Sequence, residues 1–198
     1  MRRILVTGAT GLLGPFLMSE AAHLGSVLGL ARNSVTNPVD LTRIDQVRTA
    51  LKGFDPEIIL HAAAMTDVDR CESEPARAFQ QNKTTTENLA EVASANCKIV
   101  YFSTDQVYPN RTGPHKECDA SPINIYGKSK LAGEQAVLRR KNSLVLRTTF
   151  LCRSRSKGRL SLFDFFFNAI VNRQKISIFR DVLFSPISAS TLAQITLE

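Results

Sequence analysis

The sequence lacks the patterns that mark secreted, membrane-spanning and zinc-binding proteins. No apolar run approaches the ~20 residues of a membrane helix, and the N-terminal MRRILVTGAT reaches Thr7 and Gly8 too soon for a signal peptide. The four cysteines are widely spaced, contain no C-x-x-C pair and are accompanied by only three histidines. These absences argue against a metal site and predict reduced thiols, so a cytoplasmic protein is expected.

Acidic residues are missing from one long segment. Residues 139–159, RRKNSLVLRTTFLCRSRSKGR, contain no Asp or Glu and supply much of the net charge of +7. Three interpretations stay open, namely a nucleic-acid surface, a solvated helix end with a loop, and attraction of a phosphate-bearing ligand. Because the segment lacks the interleaved aromatic residues of a base-stacking surface, the solvated helix end is favoured, and neither nucleic acid nor a membrane is the expected partner.

Apolar strand patterns alternate with helical patterns along the 198 residues. Strands are predicted at 2–8, 26–32, 57–64, 97–104, 142–149 and 175–179, and helices at 11–25, 41–53, 74–96, 124–141 and 160–173. This alternation predicts an α/β fold, a doubly wound parallel sheet of the Rossmann type with helices on both faces. We expect a dinucleotide-binding domain over 1–150. Residues 151–198 would hold its last elements and the beginning of a small substrate domain.

A glycine-rich turn follows the first predicted strand. Gly8, Gly11 and Gly14 have a G-x-x-G-x-x-G spacing and lie between a strand and a helix, which is the context that supports dinucleotide binding. The first glycine permits a tight turn, the second a close approach of a pyrophosphate, and the third close packing of helix and strand. The predicted cofactor contacts in this turn are Gly8, Thr10, Gly11, Leu12, Leu13 and Gly14.

The end of the second strand, GLARNS, carries no acid to bind the ribose 2′-hydroxyl of NAD. Arg32 and Ser34 stand there instead, and arginine suits a 2′-phosphate, so NADP(H) is favoured over NAD(H). The alternative is that Arg32 covers the sheet edge. Asp40 is predicted both to cap the helix over 41–53 and to accept a hydrogen bond from the adenine amino group, and Leu41 follows it as a further cofactor contact.

A Y-x-x-x-K pair occurs in NIYGKSKLAGEQ, as Tyr126 and Lys130. Residues i and i+4 share one face of a helix, and a nearby ammonium is expected to lower the tyrosine pKa from its usual value near ~10. Tyr126 would then donate a proton to a carbonyl oxygen that receives hydride. Thr104, with Ser103 beside it at the end of a strand, is the hydroxyl predicted to orient that carbonyl. A surface Tyr–Lys pair is the alternative.

Four segments resemble the dTDP-4-dehydrorhamnose reductase family, which belongs to the extended short-chain dehydrogenases/reductases. They are ILVTGATGLLG, HAAAMTDVDRCESEP, STDQVY and IYGKSKLAGEQAV, and the resemblance runs from Met1 to about Pro186. It implies NADPH- or NADH-dependent reduction of the 4-keto group of a dTDP-linked 6-deoxy sugar, towards dTDP-L-rhamnose.

The resemblance also implies roles for individual residues. Tyr126 would be the proton donor and Lys130 its partner, while Thr104 and Asp105 would contact the sugar. Phe150 matches a substrate-contacting aromatic residue, and FSP at 184–186 matches the start of a substrate loop. Further implied roles are a cofactor lining by Ala62, Ala63 and Ala64 and a water relay at Asn82, for which a solvent-facing position is the alternative.

Two departures from the family matter. Its members continue well beyond residue 198, so the C-terminal part is expected to be lacking here, because the chain is a fragment, a partner-shielded form or a shortened homologue. Some relatives bind magnesium through an acid after the glycine turn, where this sequence has Pro15 and Phe16. Two alternative functions stay open: another nucleotide-sugar epimerase or dehydratase, and a non-catalytic NADP-binding regulatory subunit resembling that of methionine adenosyltransferase. A homodimer is also an open expectation.

Overall fold

A computed structural model describes residues 1–111, 113–154, 161–178, 180–182 and 185–198. Its main sheet has five parallel strands in the order β2-β1-β3-β4-β5. The strands are β1 (Arg2–Thr7), β2 (Gly25–Leu30), β3 (Ile58–His61), β4 (Lys98–Ser103) and β5 (Ser143–Arg147). The strand order reverses at β1, because β2 and β3 lie on opposite sides of it. Ligands in such sheets bind at the carboxyl ends of the strands near this reversal.

Eight α-helices and a two-stranded parallel sheet complete the described ranges. The helices are α1 (Gly14–Ala22), α2 (Ile44–Phe54), α3 (Val68–Ser73), α4 (Pro75–Phe79), α5 (Thr85–Val92), α6 (Ile125–Leu138), α7 (Leu162–Val171) and α8 (Ala189–Leu197). The short strands are β6 (Thr149–Leu151) and β7 (Pro186–Ser188). Within the described ranges, no helix has the length and apolar character needed to cross a membrane.

Both faces of the main sheet are buried. Alternate residues of β1 point to opposite faces, so Ile4 and Val6 pack in one apolar cluster and Leu5 in the other. The first cluster includes Leu17 of α1 and Leu192 of α8, and the second includes residues of α2, α5 and α6. The predicted Rossmann-type sheet with helices on both faces is confirmed.

Some predicted elements differ from the structure. The helix predicted over 74–96 is divided into α4, a π-helical segment at Gln80–Thr84 and α5. The helix predicted from residue 11 begins at Gly14, because residues 11–13 belong to the glycine turn. Asp40 does not cap α2, which begins after Arg43; its carboxylate instead accepts hydrogen bonds from the backbone and hydroxyl of Thr42.

The strand predicted at 175–179 is wrong for residues 175–178, and residue 179 lies outside the described residues. Ile176 and Ile178 are exposed, so their alternating pattern has no apolar layer to pack against. The partner of β6 is β7, a three-residue strand that the sequence analysis missed together with α8.

The basic segment is not a continuous exposed surface. Arg140 donates hydrogen bonds to the carbonyl oxygens of Ala90 in α5 and of Ala93 and Cys97 in the segment between α5 and β4. Arg147 is mostly buried against Glu134. The solvated surface favoured for this segment is therefore wrong for these two arginines, and residues 155–160 lie outside the described ranges.

Candidate active site

A cleft of about 540 Å³ opens at the carboxyl ends of the sheet strands, beside the glycine turn. The site residues predicted from the sequence meet there, although they come from segments far apart in the chain. Those lining the cleft are Gly8, Thr10, Gly11, Leu12, Leu13, Gly14, Arg32, Asp40, Leu41, Ala62, Ala63, Ala64, Thr104, Asp105, Tyr126, Lys130 and Phe150. Their individual roles remain predictions.

The glycine turn brings the backbone close to the floor of the cleft. Gly8 has a φ of 69°, and a Cβ atom on it would lie 2.8 Å from the backbone nitrogen of Ala63. A Cβ atom on Gly14 would overlap the Gly8 carbonyl oxygen. Leu13, the residue before α1, makes no side-chain cap. Pro15 has no N–H and the Phe16 N–H bonds to the Leu13 carbonyl oxygen, so it is the positive end of the α1 dipole that suits an anionic ligand at this turn.

Arg32 and Asp40 lie together where β2 ends. The Arg32 Nη2 atom donates a hydrogen bond of 3.1 Å to Gln81 Oε1. Burial tends to raise the pKa of Asp40, but the hydrogen bonds from Thr42 and the Arg32 charge hold it below its usual value. Ser34 binds within its own turn, to Thr36 and the backbone of Asn37, and is not among the residues lining the cleft.

Tyr126 lies in the first turn of α6. Asn124 caps the N-terminus of this helix, because its side chain accepts a hydrogen bond from the backbone nitrogen of Gly127. Burial raises the pKa of Tyr126 to about 12, although the hydrogen-bonding side chain of Thr104 opposes the shift. This direction is opposite to the lowering predicted from the Tyr–Lys pair. The reason is that burial dominates and that the Lys130 ammonium is directed elsewhere.

Lys130 is almost completely buried one turn after Tyr126. Its Nζ atom donates a 2.7 Å hydrogen bond to the carbonyl oxygen of Phe102 and lies 4.0 Å from the centroid of the Tyr101 ring. Burial lowers the pKa of Lys130 to about 7, against the opposing charge of Glu134. Burial therefore makes the ammonium form of Lys130 easier to deprotonate than that of an exposed lysine.

Thr104 carries a hydroxyl group that links β4 to the loop after it. Its Oγ1 atom donates to Asp105 Oδ1 at 3.1 Å and accepts from the backbone nitrogen of Gln106 at 3.2 Å. Both bonds fix the Thr104 hydroxyl at the carboxyl end of β4, next to Tyr126. The role of Thr104 in orienting a carbonyl stays a prediction.

A buried hydrogen-bond chain supports the cleft floor around His61. The Thr86 hydroxyl donates to the Asn82 carbonyl oxygen, so it accepts from His61 Nε2 at 3.0 Å. His61 Nδ1 then accepts from the Thr7 hydroxyl at 2.6 Å, and that hydroxyl accepts from the backbone nitrogen of Ala63. The chain fixes one tautomer of His61, with the proton on Nε2.

Asn82 is not among the cleft-lining residues, and its predicted solvent-facing alternative is wrong because it is 1 % exposed. Its side chain accepts from the backbone nitrogen of Met65 and donates to the Met65 carbonyl oxygen and to Ser129 Oγ. These bonds hold the loop after β3 against α6. The water relay remains a prediction for this residue.

Several cleft-lining residues were missed by the sequence analysis. Gln81 reaches the cleft from the π-helical segment and Thr85 from the start of α5. A continuous α-helix was predicted there, and a π-helical turn changes which residues of the helix face the cleft. Ser161, Leu162 and Phe163 reach it from the beginning of α7. The one local signal for this second group was the Ser-x-x-Asp capping pattern of Ser161 and Asp164.

Comparison with known proteins shows the family of the chain and several similar structures. The family model of the RmlD substrate binding domain matches residues 1–198. The dTDP-4-dehydrorhamnose reductase of Salmonella typhimurium (strain LT2) is 34% identical over 198 residues, which cover 98% of this chain and 65% of the relative. The crystal structure of dTDP-4-dehydrorhamnose reductase from Bacillus anthracis str. Ames in complex with NADP has a TM-score of 0.88 and 30% identity. The matched region covers 99% of this chain and 69% of the Bacillus anthracis chain.

A second kind of relative shares a shorter region. Methionine adenosyltransferase 2 subunit beta of Rattus norvegicus is 40% identical over 144 residues, covering 69% of this chain and 43% of the relative. The chain thus spans somewhat less than two thirds of the Salmonella reductase and less than half of the rat subunit.

Proposed function

The chain belongs to the family of the RmlD substrate binding domain, and from this premise we propose that it is an NADPH-dependent reductase of a nucleotide-linked 4-keto-6-deoxy sugar. The observation that carries the proposal is the single cleft in which the glycine turn meets Thr104, Tyr126 and Lys130. A dinucleotide fits this turn, because Gly8, Gly11 and Gly14 line the cleft without side chains and α1 begins there with the positive end of its dipole.

The cofactor would be held by the glycine turn at its pyrophosphate, by Arg32 at its 2′-phosphate and by Asp40 near its adenine. Ala62, Ala63 and Ala64 would line the space for it. When bound, its nicotinamide supplies the hydride for the sugar carbonyl. Lys130 lines the same cleft, and burial lowers the pKa of its ammonium group, so its proton would be given up more easily than that of an exposed lysine.

Tyr126 would supply the proton. The phenol is protonated at neutral pH and lies in the cleft with Thr104, so it can donate to a carbonyl oxygen bound there, although burial raises its pKa to about 12 and makes it a weaker acid than the sequence predicts. Thr104 and Asp105 would bind the sugar, with Thr104 orienting the carbonyl beside the phenol. The carbonyl carbon would gain the hydride, and the carbonyl oxygen would take the proton of the Tyr126 phenol, which would be left as a phenolate.

The direct test follows NADPH absorbance at 340 nm with the dTDP-linked 4-keto sugar made in situ. We expect NADPH loss that depends on both the sugar and the protein. NADPH binding without turnover would instead favour a regulatory role like that of the methionine adenosyltransferase subunit. Conversion of a nucleotide sugar without net oxidation of NADPH would favour an epimerase or dehydratase.

Arg32→Ala is expected to weaken NADPH binding by about 10–100-fold and to leave NADH binding within about threefold, because it removes one charge-assisted phosphate contact. Fluorescence titration with both cofactors measures this difference. Arg48→Ala, which changes an exposed arginine of α2 outside the cleft, is the matched control. An equal loss for both cofactors would show that Arg32 does not distinguish the 2′-phosphate.

The proposal also covers organisation. Residues 1–150 would form the cofactor domain, and residues 151–198 would belong to the last elements of that domain and to part of the substrate-binding region. A cytoplasmic location is retained, and a homodimer is an assembly that sedimentation of the purified chain can test.

A further inference from the structure

The third turn of α6 carries a buried carboxylate to which the proposed reaction assigns no role. Glu134 is 1 % exposed and lies one turn after Lys130, on the same face of the helix. One of its oxygens accepts a 2.5 Å hydrogen bond from Ser103 Oγ. The carboxylate also binds Arg147 through Nε and Nη2, the latter at 2.7 Å. Because buried ion pairs seldom add net stability, this one calls for another explanation.

Arg147 fixes the carboxylate from the other side. It is the direct neighbour of Ser103 in the register of β4 and β5. Its Nη1 atom donates a 2.6 Å hydrogen bond to the carbonyl oxygen of Glu117, and its guanidinium carbon lies 5.0 Å from the centroid of the Tyr108 ring. With both ends anchored, the carboxylate of Glu134 has little freedom to move.

Two successive turns of α6 therefore hold two successive residues of β4. Lys130 binds the carbonyl oxygen of Phe102, and Glu134 binds the hydroxyl of Ser103. Thr104 follows Ser103 directly, where β4 ends. Its hydroxyl lies beside the phenol of Tyr126, which belongs to α6 like Lys130 and Glu134. The position of Thr104 relative to Tyr126 is set by how firmly β4 is attached to α6.

We propose that Glu134 is a positioning residue, whose carboxylate, held by Arg147, fixes Ser103 and so places the Thr104 hydroxyl against the Tyr126 phenol. The catalytic consequence rests on the proposed reductase function, but the placement itself does not. Misplacement by about 1 Å can lower a rate by about 10²-fold, so the effect on turnover should be measurable.

The cleanest variant is Ser103→Ala, because it removes the hydroxyl and leaves the Glu134–Arg147 pair intact. We expect kcat to fall by about 10–100-fold while the dissociation constant for NADPH stays within about twofold. Ser103→Thr restores a hydroxyl and should recover most of the rate. Ser143→Ala is the matched control, since Ser143 also joins β5 to α6 through the carbonyl oxygens of Val137 and Arg140 but is not a cleft-lining residue.

A readout that does not depend on turnover separates this proposal from the proposed function. The three tyrosines give three ¹³Cζ resonances, and that of Tyr126 reports the surroundings of its hydroxyl. Ser103→Ala should shift this resonance, Ser103→Thr should restore it, and Ser143→Ala should leave it unchanged. Glu134→Ala should produce the same shift, and the double variant should add nothing further, as expected for residues acting through one contact.

The outcomes are distinct. A Tyr126 resonance that is unchanged in Ser103→Ala overturns the positioning role, whatever happens to kcat. A shifted resonance that Ser103→Thr restores supports it, even where the wild-type chain reduces no keto sugar, in which case only the proposed reaction fails. Turnover that falls with the resonance and recovers with it extends the support to catalysis.

Discussion

Tyr126→Phe is expected to lower kcat for the keto sugar by about 10²–10⁴-fold, the usual contribution of a positioned general acid. Phenylalanine keeps the ring packed beside Cys71 and Ala78 but removes the only group at this position able to give up a proton. NADPH binding should stay within about threefold of wild type, because the glycine turn and Arg32 are unchanged.

Steady-state absorbance at 340 nm and fluorescence titration with NADPH measure the two quantities separately. Thermal unfolding of the variant checks that the fold is retained. A variant that keeps more than a tenth of the wild-type kcat would remove Tyr126 from the role of proton donor and would turn attention to Lys130, whose pKa of about 7 also permits proton transfer near neutrality.

The predicted site residues that the structure brings into one cleft depend on short spacings. Gly8, Gly11 and Gly14 lie within seven residues, and Tyr126 and Lys130 lie four apart on one helix, so local geometry is enough to bring each group together. The alternation of strands and helices then places both groups at one edge of a parallel sheet. The cleft and its lining follow from these three features.

The parts that were missed depend on register between distant segments. Glu134 and Ser103 are 31 residues apart, and His61 and Thr7 are 54 residues apart, so no spacing in the sequence announces either contact. The π-helical segment was missed for a related reason, because Asn82 is turned inwards by bonds to Met65 and Ser129 from other segments.

The pKa of Tyr126 was predicted in the wrong direction for an electrostatic reason. The pattern supplies a cation one helical turn away but says nothing of burial or of where the cation points. In the structure the Lys130 ammonium faces Phe102 and Tyr101, and desolvation decides the phenol's pKa. Sequence spacing therefore predicts that Tyr126 and Lys130 share one face of a helix, but it does not predict their charge states.

His61 should make the fold sensitive to acid. Burial, followed by the charge of Lys130, lowers the pKa of His61 from 6.5 to about 3. Between these values the unfolded chain binds a proton that the native chain excludes, so stability rises with pH across this window and falls on acidification. From pH 7 to pH 4.5 this one histidine should cost the native state about 2–3 kcal/mol.

Urea unfolding of the wild type and of His61→Gln at both pH values isolates this contribution. Glutamine does not titrate and keeps an uncharged donor that can reach Thr86, so its loss of unfolding free energy on acidification should be smaller than that of the wild type by about 2–3 kcal/mol. His23→Gln, at an exposed histidine, should lose as much as the wild type. Parallel losses for wild type and His61→Gln would contradict the prediction.

The physical origin of this effect is the same chain of hydrogen bonds that supports the cleft. A second proton on His61 would occupy the Nδ1 lone pair that now accepts from the Thr7 hydroxyl, so that hydroxyl would have to turn its own proton elsewhere. Protonation would therefore break the present hydrogen bond from Thr7 to His61 and would place a second cation near Lys130. NADPH affinity should accordingly fall with stability in the wild type below about pH 5, and His61→Gln should retain more of it.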